Sequence, residues 1–152
     1  MSPNPVIAQA FLLGTYGSSA SNTSTAVDAG LVYGDVLFAF SVGVPTGLSA
    51  TNYYWFEIVE DTASNMAGAV AVDYSSGRIT TTLTRHASAI SSEFYRMTGS
   101  SGNTFVTHQV RVKPSADYRY IALRMKRAAA VASIPLSAVS AYVARRRYDH
   151  LG

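Results

Sequence analysis

Four carboxylates stand close together in the first half of the chain, Glu57, Glu60, Asp61 and Asp73. Acids at such spacing raise the question of a catalytic pair. Glycoside hydrolysis needs two carboxyl groups about 5–10 Å apart, one to protonate the leaving oxygen and one to attack or to activate water. Strand edges carry acids of this kind routinely, so the spacing alone makes no catalytic pair and no enzyme is expected. The three histidines, His86, His108 and His150, lie far apart with no metal-ligand spacing. A single His on a strand is more often packed or hydrogen-bonded than a ligand, so neither a metal nor a cofactor is expected. No Gly-x-Ser-x-Gly elbow, Walker loop or dinucleotide fingerprint occurs, and Gly99-Ser100-Ser101-Gly102 lacks the flanks of a phosphate loop.

Binding chemistry has more material. Tyr53, Trp55, Tyr95, Tyr118 and Tyr120 are many rings for a chain of this size, and rings exposed together on one sheet face stack on sugars or on the side chains of a partner protein. Arg145, Arg146, Arg147 and Tyr148 form the second candidate set. Three consecutive arginines on an extended end point to both faces, so at least one of them reaches away from its own sheet. Guanidinium groups suit planar, bidentate pairing with carboxylates, and the adjacent Tyr adds a ring that buries at an interface. These four residues are read as partner contacts.

Charge is sparse, 14 % of residues, and unevenly placed. Residues 1–75 hold six acids and no Lys or Arg, whereas residues 76–152 hold 12 bases and three acids. A basic block of this kind marks nucleic-acid binding in some proteins, and in others it marks acidic and basic strands that pair within a sheet or between subunits. Here the bases are mostly single residues alternating with apolar ones, so no nucleic-acid partner is expected. The chain has 152 residues and no cysteine, enough to bury about 68–70 % of the surface its unfolded form exposes without a metal or disulfide. The absence of Cys fits assembly in a reducing cytosol. Met1-Ser2-Pro3-Asn4-Pro5 has no basic n-region, and the apolar piece from Val6 to Leu13 is interrupted by Gln9. That piece is too short for a signal-peptide core or a membrane span, so a soluble chain without a membrane partner is expected.

The elements that must position these residues are strands. Tyr53 to Glu60 alternates with a period of two, Trp55, Glu57 and Val59 against Tyr54, Phe56 and Ile58. Val70, Val72 and Tyr74 follow, and Ser75-Ser76-Gly77 before an Ile-Thr-Thr-Thr run reads as a tight hairpin. Upstream, Val36, Phe38, Phe40, Val42 and Val44 mark a core strand. Downstream, short strands are expected over Glu93–Thr98, Thr104–Lys113 and Tyr118–Lys126, the last with Arg119, Arg124 and Lys126 reaching solvent. Leu136–Tyr148 permits helix or strand, and the sheet context favours strand. Residues 6–13 make a first strand, and Gly14–Gly30 is a Gly-, Ser- and Thr-rich tract with little to bury. That tract predicts an arm laid on a neighbour or a surface loop. The division expected is therefore an N-terminal strand and arm over residues 1–34 and a sandwich domain over 35–152. Eight or nine short strands with Gly, Ser and Pro turns define an all-β class, an antiparallel β-sandwich or jelly roll with an extended N-terminal arm.

Val72-Asp73-Tyr74-Ser75-Ser76-Gly77-Arg78-Ile79 resembles the aromatic-Asp-Leu-x-x-Gly-x-Val hairpin of the carbohydrate-binding-module-like jelly rolls found in bacteriophage tail-fibre, head-fibre and capsid decoration (cement) proteins. Phe38–Val44 is similar to that family's early F-S-V-x-V strand, and Glu93–Thr98 to its W-Y-R-V-T strand. The likeness runs in order over residues 35–145. Phe94 stands where the family usually has Trp, and the last strand reads Ser140-Ala141-Tyr142-Val143-Ala144-Arg145 instead of ending in Gln and an acid. The resemblance implies a non-enzymatic virion protein, assembled in the host cytoplasm and placed on the capsid surface. It further implies binding to the major capsid protein, and the apolar fraction of 48 % against 14 % charged, more than one small sandwich needs, leads us to expect a homotrimer. The alternative it implies is a carbohydrate-binding module of a phage fibre that acts in host attachment. A single domain without a shaft favours the decoration protein.

Overall fold

The computed structural model describes residues 8–13, 21–31, 34–43, 48–98, 105–128 and 137–143. Eleven strands are assigned among them: β1 (Ala8–Leu13), β2 (Ser21–Thr23), β3 (Val27–Asp28), β4 (Val36–Gly43), β5 (Tyr54–Asp61), β6 (Val70–Ala71), β7 (Ile79–Thr81), β8 (Glu93–Met97), β9 (Phe105–Val112), β10 (Tyr120–Arg127) and β11 (Ser137–Val143). Every pairing is antiparallel. The first sheet has the order β1-β11-β4-β9-β7, and in the second β10 lies between β5 and the short pair β2 and β3, with β6 and β8 on the far edge of β5. The pairs nest: β1 with β11, β2 and β3 with β10, β4 with β9, β5 with β8. A chain folded back on itself in that way, its successive strands moving between two sheets, is a jelly roll.

The core lies between the sheets and follows the period-two pattern. Val36, Phe38, Phe40 and Val42 of β4 and Val110 and Val112 of β9 meet Tyr54, Phe56 and Ile58 of β5 and Ile121, Leu123 and Met125 of β10, all buried. Phe40 sits at the centre, its ring 5.0 Å from Phe56 and 6.2 Å from Phe94, the latter edge-on. Aromatic pairs of this geometry add about 0.5–1.5 kcal/mol beyond the area they bury.

Over its described residues the expected N-terminal arm is part of both sheets. β1 runs in register with β11 from Ala8 opposite Tyr142 to Leu13 opposite Ser137. Residues 21–31 line β10, and Val27 and Ala29 enter the core. Between β2 and β3 the ladder is bridged by Ser24: its N–H donates to the Leu123 carbonyl at 2.8 Å, and its Oγ accepts from the Leu123 N–H at 3.1 Å. A composition reading misses this role because the segment contributes backbone pairing more than apolar bulk.

Residues 75–77 do not close a hairpin. Asp73 caps a 3-10 turn over Tyr74–Ser76, its Oδ1 accepting from the Ser75 N–H at 2.7 Å, and Gly77 leaves it with φ 71°. That left-handed conformation suits a residue without Cβ. The chain arrives from β6, on the edge of β5, and departs into β7, which pairs with β9 in the opposite sheet. The turn therefore carries the chain across the sandwich. Arg78 secures the crossing: it forms a two-point ion pair with Glu60 and donates from Nε to the Lys113 carbonyl at 3.0 Å. Of the expected strand over Leu136–Tyr148, Ser137–Val143 is present as β11, and the remainder lies outside the described residues.

Candidate binding face

Register places two rows of charged and aromatic residues on the outer side of the second sheet. One row runs Ser21, Lys126, Trp55, Arg96 across β2, β10, β5 and β8. The next runs Thr23, Arg124, Glu57, Glu93. The alternation that sends Tyr54, Phe56 and Ile58 into the core is what sends Trp55 and Glu57 outward.

Glu57 is nonetheless buried, 1 % exposed, because the segment between β7 and β8 folds over it. Ser92 Oγ donates to its Oε2 at 2.6 Å, Arg124 Nε donates to Oε1 at 2.6 Å, and Lys126 Nζ lies 3.3 Å from Oε1. Glu93, equally buried, accepts from Arg96 at 2.7 Å and 2.6 Å. Arg96 in turn donates to the Ser88 carbonyl, and Arg85 donates to the carbonyls of Glu93, Ala89 and Ile90. The hydrogen bonds that Arg96 donates to Glu93 hold its guanidinium above its ordinary pKa. Removing one partner from a buried pair leaves an uncompensated charge, so this network fixes segment 82–92 against the sheet.

Two planar contacts complete the face. Arg96 lies over the Tyr53 ring at 4.1 Å, and Lys126 is 5.9 Å from the centre of Trp55. Each is a cation on a π face, worth about 0.5–1 kcal/mol when exposed and ~2 when desolvated. The Tyr53 and Trp55 rings are 5.9 Å apart and tilted by 49°. The Trp55 indole N–H is buried and has no hydrogen-bond partner among the described residues.

The five rings expected to stack are thus not one platform. Tyr53 and Trp55 share this face. Tyr95 turns inward at a bulge in the β5–β8 pairing, its ring against Phe56 at 5.7 Å and His108 at 4.5 Å. Burial pushes its phenol above the usual value. Tyr120 begins β10 and Tyr118 precedes it, and between them Arg119 lies 5.4 Å from the Tyr120 ring and pairs with Asp28 at 2.8 Å. The hydrogen bond from Arg119 holds the Asp28 carboxyl below its ordinary value. Arg145, Arg146, Arg147 and Tyr148 lie outside the described residues.

One further expectation changes. Arg124 and Lys126 do not simply reach solvent, because both are drawn to Glu57. The uneven charge also has a structural meaning: Asp28, Glu57 and Glu60 from the acidic half pair with Arg119, Arg124, Lys126 and Arg78 from the basic half. Complementary halves were visible in the sequence; Glu93 and Arg96, three apart on one strand, were the pair it gave least reason to single out. Glu57, Glu60 and Glu93 are each held by arginine, and Asp61 accepts from the N–H groups of Ala63 and Gly68 at 3.1 Å and 2.8 Å. These carboxyls are engaged as structural anchors, and on the face they support Lys126 stays partly exposed beside Trp55 while Arg96 is closed off against Glu93 and Tyr53. The chain matches no family model, no curated protein and no solved structure.

Proposed function

We propose that this chain is a non-enzymatic structural protein of a bacteriophage virion, a decoration or cement protein that binds the major capsid lattice from the capsid surface. The observation that carries the reading is the ring and cation face formed by Tyr53, Trp55 and the partly exposed Lys126, mounted on a jelly roll whose buried carboxylates are already paired. Arginine and aromatic side chains dominate the energetic centres of protein interfaces. The order of the family-like motifs along this fold supports the virion assignment. The basic end, Arg145, Arg146, Arg147 and Tyr148, supplies a second contact in this reading, and the protein acts as a homotrimer.

The alternative is a carbohydrate-binding module of a phage fibre, and the adjacency of Tyr53 and Trp55 is the feature that favours it. Their mutual tilt of 49° and the cation over each ring fit a sugar face less well than a protein contact. Electron microscopy of virus particles labelled with antibody to this chain separates the readings. Label spread over the whole shell is the expected result. Label confined to a few appendages, together with retention on a glycan array, supports the fibre module, and particles without label overturn both.

A further inference from the structure

In the two outward rows of the second sheet three cations, Arg96, Arg124 and Lys126, serve two carboxylates, Glu57 and Glu93. Arg96 is committed to Glu93 with its side chain 6 % exposed, and Arg124 to Glu57 with 18 % exposed. Lys126 is the most open of the three, at 33 %. Its Nζ lies 3.3 Å from a Glu57 Oε1 that already accepts from Arg124 at 2.6 Å, while Ser92 Oγ donates to Oε2 at 2.6 Å. Glu57 therefore keeps a donor on each oxygen when Lys126 turns away from it. An ammonium group carries three N–H donors and no acceptor, and the contact with Glu57 uses one of them. The ring of Trp55, half-buried, lies beside this ammonium, 5.9 Å from Nζ to the ring centre, and the exposed Ser21 stands opposite Lys126 on β2.

We infer that Lys126 is a docking point for a single carboxylate, the Asp or Glu side chain of a partner protein, received over the ammonium and flanked by Trp55 and Ser21. Charge complementarity selects this occupant. The surplus in the two rows is one positive charge, and one carboxylate cancels it. A nucleic-acid strand presents a phosphate at every nucleotide and is held by several cations together, whereas the two arginines beside Lys126 are turned to Glu93 and Glu57. A second copy of this face would bring the same positive surplus against it. Charge pairs of this kind fix register and discriminate among partners more than they add raw affinity. The inference rests on the reading of this face as a protein contact in the proposed function, and it adds the partner's chemistry: an acidic side chain where the partner meets Trp55.

Trp55 is the only tryptophan in the chain, so its fluorescence reports on this spot alone. The test is titration of the whole chain with a capped tripeptide, glutamate between two glycines, beside the counterpart with glutamine. The glutamate peptide is expected to change the emission saturably and to bind at least about 10-fold more tightly than the glutamine peptide. Lys126→Met keeps the apolar stem without the charge and is expected to remove that preference. Lys113→Met, at an exposed position just after β9 of the other sheet, is expected to leave it unchanged. Equal response to the two peptides, or an undiminished preference in Lys126→Met, overturns the inference, and saturation by inorganic phosphate at lower concentration than by the peptide overturns it in favour of a phosphate site. Should Lys126→Met fail to fold, quenching of the unaltered protein decides. Iodide is expected to exceed caesium as a quencher of Trp55 by about 2-fold more than it does for N-acetyltryptophanamide, because the ammonium gathers anions; an advantage no greater than that of the small molecule overturns the inference. These measurements use the isolated chain, so their failure strikes this docking point and leaves the virion assignment to the antibody labelling of particles.

Discussion

Deleting residues 1–30 should abolish cooperative unfolding, and the size of the effect follows from what the segment contributes. Val27, 4 % exposed, accounts for about 2 kcal/mol of apolar burial, and Ala29 for about 1. The two hydrogen bonds between Ser24 and Leu123 add about 1 kcal/mol each. The Asp28–Arg119 pair adds little, because the arginine side chain is 58 % exposed. These contributions come to about 5 kcal/mol before the six-residue β1–β11 ladder is considered, against the ~5–15 kcal/mol that holds a domain of this size together. Tolerance to truncation depends on burial and backbone pairing, not on position in the chain. Calorimetry of residues 31–152 beside the full chain is the assay. A sharp transition within about 5 °C of the full-length melting temperature would refute the reasoning and restore the segment as a detachable arm. Val27→Ala is the milder companion, expected to lower stability by ~2 kcal/mol and the melting temperature by ~4–8 °C.

Glu57→Ala removes the common acceptor of Ser92, Arg124 and Lys126 and should cost about 2–4 kcal/mol in urea unfolding at unchanged m; a loss under 1 kcal/mol would show that the network is replaceable by water. His108 packs between Phe40 and Tyr95, and burial holds its imidazole below the ordinary pKa. The unfolded chain therefore binds the proton first, so stability present above pH ~6.5 declines as pH falls below it. His108→Phe should flatten the melting-temperature slope between pH 7.5 and 5, a window above the one in which Asp28, Asp61 and Asp73, all held low, lose their contribution; an unaltered slope counts against His108 as its source. Changing Arg145, Arg146 and Arg147 together to Ala should weaken attachment to particles while the melting temperature stays nearly constant, and normal attachment in moderate salt would remove that end from the proposed contact.

The strands were legible wherever large and small or apolar and polar residues alternate. β4, β5, β9 and β10 all follow that rule, and their inward residues form the core. Sheet membership was not legible, because a period of two says which face a residue takes and nothing of which strand lies beside it. The turn at 73–77 shows the consequence. Its Asp, Ser and Gly residues are those of a tight hairpin, and only the partners of β6 and β7 reveal that they stand in different sheets. Residues 21–31 failed for another reason: Ser24 acts through backbone groups of Leu123, to which hydropathy is blind. At the binding face, the presence of rings and of opposite charges in the two halves could be read. Their mutual placement depends on the β5–β10 register and on the β-bulge that sends Tyr95 inward while Trp55 stays out.

A sandwich has two outer faces, and in this one their chemistry is divided. The second sheet uses its buried carboxylates to anchor segment 82–92, with Arg96 held between Glu93 and Tyr53 and the partly exposed Lys126 beside Trp55. The first sheet shows almost none of that along β4, where Leu37, Ala39 and Ser41 take the outward positions. Under the proposed function such a division would keep a lattice contact and a contact between copies from competing for one face. The physical signatures of the two contacts should then separate. Cationic recognition falls as ionic strength shortens the ~8–10 Å screening length, whereas contact through an uncharged face is nearly indifferent to it. If the proposed function holds, salt that releases this chain from a capsid lattice should therefore release it still joined to its own copies.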